Sequence, residues 1–155
     1  MINIAMISGA GSFINAGEKA TLGNTLKPLH YMSHKTNVLK DKSFAFAVKV
    51  IKISQHLNTN FKEFVLSKQL LRSATSVGAN VREANNAESK ADFIHKLAIA
   101  QKEADETVYW LELLYSVKLL QQEEFESLHQ DATELLKIIR SSILTVKARY
   151  RKPNS

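Results

Sequence analysis

Between Met32 and Pro153 the chain contains a single helix breaker, Gly78; its other four glycines and its other proline all lie before Met32. Proline removes a backbone donor and clashes with the preceding turn, and glycine adds backbone entropy, so a stretch this long without either is built for helices. Its apolar residues keep the helical period. In a first helix Phe46, Val50, Ile53 and Leu57 fall on one stripe, with Phe44, Val48 and Ile51 alongside, and the helix should end near Asn58-Thr59-Asn60. A second helix repeats the pattern with Leu66, Leu70, Ala74, Val77, Val81 and Ala84. Its Gly78 costs about 1 kcal/mol relative to alanine unless it lets a neighbouring helix approach, and close approach is the expectation.

Ser89-Lys90-Ala91-Asp92 precedes the next apolar run in a capping-box-like arrangement, so Ser89 should cap a third helix after a short turn. That helix places Phe93, Leu97, Ala100, Ala104, Val108, Leu111 and Tyr115 on one stripe. After Leu120-Gln121-Gln122, a fourth carries Phe125, Leu128, Ala132, Leu135, Ile139, Ile143 and Val146. Four amphipathic helices joined by short loops bury their stripes by lying antiparallel, so the fold class is all-α, an up-down-up-down four-helix bundle over residues 40–151.

Residues 1–38 differ: glycine-rich and without sustained period, they read as a poorly ordered leader. Met32, followed by Ser33-His34-Lys35, is a candidate internal start. The sequence shows neither a secretory signal nor an apolar run long enough to span a bilayer, so a cytoplasmic location without membrane attachment is expected. With no cysteine in 155 residues, disulfides, thiolate metal sites and cysteine nucleophiles are excluded together.

The net charge of +6 is unevenly placed. Met1 to Lys102 carries fourteen Lys/Arg against six Asp/Glu, Glu103 to Glu134 nine acids against Lys118 alone, and Lys137 to Ser155 six bases and no acid. One reading is attraction to nucleic acid or another anionic partner. The other is that acids opening helix 4 and bases closing it complement its macrodipole. Lys68, Arg72 and Arg82 project from helix 2 away from its core stripe, and Lys137, Arg140, Lys147 and Arg151 do the same on helix 4. Both groups suit phosphate tracking, against the alternative of ordinary solvated faces. No base-stacking aromatics are interleaved with them, so binding would be backbone-directed and salt-sensitive.

Ile99, Trp110, Leu113 and Val117 project roughly opposite the expected core stripe of helix 3, which marks a candidate oligomer interface unless helix 1 or the leader folds over it or the assumed stripe is rotated. Asp92-x-x-His95 and Glu126-x-x-His129 have the carboxylate–histidine spacing of di-iron bundles. In antiparallel helices turning near Leu120, however, the two histidines are offset by roughly 24 Å at about 1.5 Å per residue, so they cannot share a metal. No nucleophile elbow or glycine-rich phosphate loop is present. The chain reads as a non-enzyme with no catalytic residue, metal or cofactor.

The segments Gln69-Leu70-Leu71-Arg72-Ser73, Ser76-Val77, Asn80-Val81-Arg82-Glu83, Ser89-Lys90 with Asp92-Phe93, and Glu106-Thr107 with Tyr109-Trp110-Leu111-Glu112-Leu113 occur in an order and spacing that resemble a known family. These are the bacterial four-helix-bundle proteins related to those encoded by intervening sequences in 23S ribosomal RNA genes. The resemblance covers about Lys40 to Tyr150. It implies a ring-like homopentamer, and some relatives, the accessory proteins of diversity-generating retroelements, are basic and associate with a reverse transcriptase and nucleic acid. The chain departs from the pattern where Ala84 follows Glu83 in place of the usual glycine and Arg82 replaces a small residue. The expected function is therefore a non-catalytic oligomeric bundle that associates with RNA or DNA backbone; the alternative is a protein-binding or structural scaffold. Asn80 and Glu83 are read as structural contacts at the corner between helices 2 and 3.

Overall fold

The computed structural model describes residues 37–151, with side chains through Arg149. The expected leader lies outside the described residues, apart from its junction with the first helix. Asn37 opens α1 (Val38–His56) by accepting the backbone N–H of Lys40 at 3.1 Å, satisfying one donor left orphaned at a helix start. The expected end of this helix falls inside a π turn over Leu57–Phe61, after which Lys62 reverses the chain in the left-handed region at φ 53°. The corner closes on Glu63. Its carboxylate accepts the N–H groups of Val65, Leu66 and Ser67 at 3.0, 2.9 and 2.7 Å and so caps α2 (Leu66–Asn85).

Ser89 caps α3 (Lys90–Ser116) as expected, accepting from the Asp92 N–H at 3.1 Å. The helix stops where Lys118 takes φ 62°, its N–H bonding to Tyr115 and that of Leu119 to Leu114, a closure that satisfies orphaned carbonyls. Then α4 (Gln122–Arg151) runs back along the bundle. Each helix packs on the next, and α1 also packs on α4, which closes the four into an antiparallel bundle; no strand occurs among the described residues.

The core follows the expected stripes on α1, α2 and α4: Val50, Leu57, Leu70, Val77, Leu135 and Ile139 are fully buried. On α3 Leu97, Ala100, Ala104 and Leu111 are buried as expected, but the stripe rotates in the second half of the helix. Tyr115 is exposed and Val108 half-buried, and Thr107 and Leu114 take the core positions instead. A threonine can sit there because its hydroxyl bonds to the Glu103 carbonyl at 2.7 Å and to the Ser73 hydroxyl at 3.0 Å, leaving no unsatisfied polar group. Tyr115 instead stacks on Phe125 across the α3–α4 turn, with ring centroids 4.4 Å apart.

The approach of α1 to Gly78 is real, but it leaves room. A Cβ there would lie 3.6 Å from the Ser43 carbonyl oxygen, an ordinary van der Waals contact.

Candidate nucleic-acid interface

Antiparallel packing gathers the start of α1, the end of α2, the start of α3 and the end of α4 at one end of the bundle. Accordingly, Val146 of α4 lines a cavity with Ala84, Ser89 and Phe93. Lys40, Arg82, Lys147 and Arg149 are exposed at this end, and none of them is in an ion pair among the described residues. The opposite end carries Glu112, Glu123, Glu124 and Glu126 where α3 turns into α4, and Lys62 and Lys68 where the α1–α2 corner lies.

The two expected basic stripes are divided by this geometry. On α2, Arg72 leans towards α3 and pairs with Glu106, whereas Arg82 leans towards α1 with its guanidinium 5.2 Å from the centre of the Phe44 ring. Lys68 is exposed near the π-turn corner, beside Phe64 and Leu71. On α4, Arg140 pairs with Asp105 of α3 at 3.1 Å, while Lys137 and Lys147 are exposed; the Arg151 side chain lies outside the described residues. An arginine already matched by a carboxylate has little charge left for a phosphate. The acidic segment therefore cancels bases in mid-bundle, taking also Lys42 on Glu134 and Lys49 on Asp131 at 2.8 and 2.6 Å.

The motif residues on α2 and α3 form the seam between those helices. Glu106 accepts from both Arg72 and the Trp110 indole N–H, Ser73 meets Thr107, and Glu83 holds Lys96 at 2.6 Å. That hydrogen bond to Glu83 and the attraction of its charge keep the Lys96 ammonium above the usual lysine pKa. Asn80 donates to the Ser76 carbonyl on its own helix at 2.9 Å. Buried in this seam, one Glu103 carboxylate oxygen has no hydrogen-bond partner.

The expected interface residues sit along the same seam. Ile99, Trp110 and Leu113 are half-buried, with Trp110 packed against the core, and Val117 is 51% exposed. The rotation of the α3 stripe turns Trp110 inward and leaves Tyr109, set edge-on to it, exposed. A larger apolar surface lies at the α1–α2 corner, where Phe61, Phe64 and Val65 are 45%, 57% and 71% exposed. Nothing in their spacing marks it, because it is created by the π turn.

His129 lies 3.6 Å from Glu112, and His95 is exposed near the other end of α3. No cluster of three or more potential metal ligands occurs among the described residues, and none of their helices is long and apolar enough to cross a membrane.

A comparison with curated proteins returns no match. Among solved structures, the chain is similar to a protein of unknown function from the S23 ribosomal protein family of Bacteroides thetaiotaomicron VPI-5482. The two are 54% identical with a TM-score of 0.68, over 68% of this chain and 98% of that one. The family model described as 23S rRNA-intervening sequence protein matches residues 35–141, and the chain belongs to that family.

Proposed function

We propose that this protein is a non-catalytic, oligomeric four-helix bundle of the cytoplasm, without cofactor, that associates with the backbone of RNA or DNA through the basic end of the bundle. The supporting observation is that the charge polarity exceeds what the helix dipoles ask for. Acids opening α4 and Arg82 closing α2 do complement their dipoles. But α1 carries Lys40 in its first turn beside the favourable Asp41, and α3 carries Glu112 in its last turns with no base, so Lys40 and Glu112 both stand against the dipole. Packing gives no reason for Lys40, which pairs with no carboxylate among the described residues. A polyanion at the basic end does.

The resemblance to pentameric relatives supports a ring that repeats the basic end around one axis and multiplies its field. The test is the affinity for a generic RNA or DNA duplex as salt is raised. Binding through several cations makes log K fall linearly with log salt, by about 0.9 for each phosphate neutralised. A flat dependence would sink the reading.

The exposed Phe61, Phe64 and Val65 favour a second reading, a scaffold that docks another protein. Light scattering on Phe64→Glu and Val117→Glu separates a use of either surface in self-assembly from docking of a different partner. Both residues are exposed, so the bundle should survive the changes. Trp110→Glu would instead remove a packed, hydrogen-bonded side chain and confuse assembly with stability.

A further inference from the structure

We propose that the corner between the start of α1 and the end of α2 is a phosphate-binding pocket, lined by Lys40, Arg82, Asn85 and Asn86, that takes a phosphodiester group of the nucleic-acid backbone. The proposal rests on the reading above and names where that contact is made.

The pocket is a cavity of about 250 Å³ whose lining side chains all present hydrogen-bond donors and include no carboxylate. Other cavities differ. The one beside Lys42 and Lys49 is lined also by Asp131 and Glu134, which already hold those lysines, the one under Phe93 includes Glu88, and the one beside Lys68 has no carboxylate but a single cation and the apolar Phe64 and Leu71 in its wall.

Each lining group is held with donors to spare. The Phe44 ring beneath Arg82 restrains the guanidinium by a cation–π contact but accepts none of its N–H groups, and the edge of the fork stays available to a tetrahedral anion. Asn37 donates to the Asn85 side-chain oxygen at 2.8 Å, which ties α1 to α2 and leaves the Asn85 amide nitrogen as a donor. Asn86 gives one hydrogen to the Arg82 carbonyl at 3.2 Å and keeps its second. Lys40 contributes an ammonium that pairs with no carboxylate among the described residues. The α1 dipole adds positive potential to this corner; the end of α2 opposes it, and the Asn86 bond occupies one of its terminal carbonyls. A phosphate, with a full negative charge and several acceptor oxygens, accepts from these donors and also balances the charge of Lys40 and Arg82, which a neutral ligand would leave uncompensated.

The decisive experiment has two arms. In the first, fluorescence anisotropy measures binding of a duplex RNA of about 20 base pairs to wild type, Lys40→Gln, Arg82→Gln and Lys118→Gln across a salt series. Circular dichroism on each variant verifies the fold. In the second, inorganic phosphate is titrated into labelled protein while the Asn85, Asn86 and Arg82 side-chain N–H signals are followed. The expected result is that Lys40→Gln and Arg82→Gln each weaken RNA binding by about 10-fold and lower the salt slope by about 1. Lys118→Gln, at the acidic α3–α4 turn, should match wild type, and phosphate should shift the pocket signals. If wild type binds RNA but Lys40→Gln and Arg82→Gln bind equally well, the pocket is overturned and the nucleic-acid reading survives. If RNA fails to bind while phosphate shifts the pocket signals, the nucleic-acid reading falls and the pocket serves a free phosphoryl ligand. If neither binds, both fall.

Discussion

The two ends of the bundle are built from the same helices in opposite polarity, yet they treat charge differently. At the end shared by the start of α1 and the close of α2, Lys40 and Arg82 stand without carboxylate partners, and Phe44 rather than an acid steadies the arginine. At the other end Glu112, Glu123, Glu124 and Glu126 cluster about a turn whose only base is Lys118. Between them Arg72, Arg140, Lys42 and Lys49 are matched with acids across helix seams. Exposed pairs of this kind contribute only about 0–1 kcal/mol each, so their larger effect is on the field: they neutralise the waist and leave Lys40 and Arg82 as uncompensated cations at one end.

The comparison can be broken at several strengths. Leu135→Ala, at a fully buried position in the waist, should cost about 2–5 kcal/mol in a denaturant melt while leaving nucleic-acid affinity unchanged at temperatures where the variant is folded. A variant that loses affinity while still folded would show that the poles depend on more than charge. Reversing both Lys40 and Arg82 to glutamate should lower RNA affinity by about 100-fold, whereas Glu123→Lys with Glu124→Lys should leave it equal or higher; equal losses at both ends would erase the distinction.

At the π-turn corner, Glu63→Ala removes a carboxylate holding three N–H groups and should cost about 1 kcal/mol. Burial pushes the Glu63 carboxyl up, but bonds from the Leu66, Ser67 and Val65 N–H groups and the Ser67 hydroxyl outweigh it, so its folded pKa lies below the ordinary 4.5. Its contribution is therefore full above pH 4.5 and is lost as pH falls through the depressed folded value. The stability gap between wild type and Glu63→Gln should close over that acid range, and a gap that stays constant would contradict the cap. The smallest effect expected is a gain. Gly78→Ala should stabilise α2 by about 0.5–1 kcal/mol, since a methyl meets Ser43 at ordinary contact distance.

Helix number, order and most of the core were legible because an apolar stripe repeats in a one-dimensional pattern that each helix must bury. The Ser89 cap was legible for the same local reason. Thr107 was not, because its place in the core depends on Ser73 from another helix. Nor was the Glu63 cap, which exists only because Leu57–Phe61 widens into a π turn. Exposure on a helical wheel identified Arg72 and Arg140 as free cations, but their neutralisation comes from seams with α3 that a single-helix projection does not contain. Conversely, Lys40 drew no attention in the sequence, and only the antiparallel return of α2 sets it beside Arg82 and Asn85.

The most direct test of the account is to map where a polyanion touches the protein. Backbone amide shifts of wild type would be recorded with and without a duplex RNA, at low and at physiological salt. The account predicts perturbations concentrated at the start of α1, the end of α2 and the last turns of α4, fading as salt rises. Perturbations centred on the α3–α4 turn, or on Phe61, Phe64 and Val65 with no salt dependence, would contradict it.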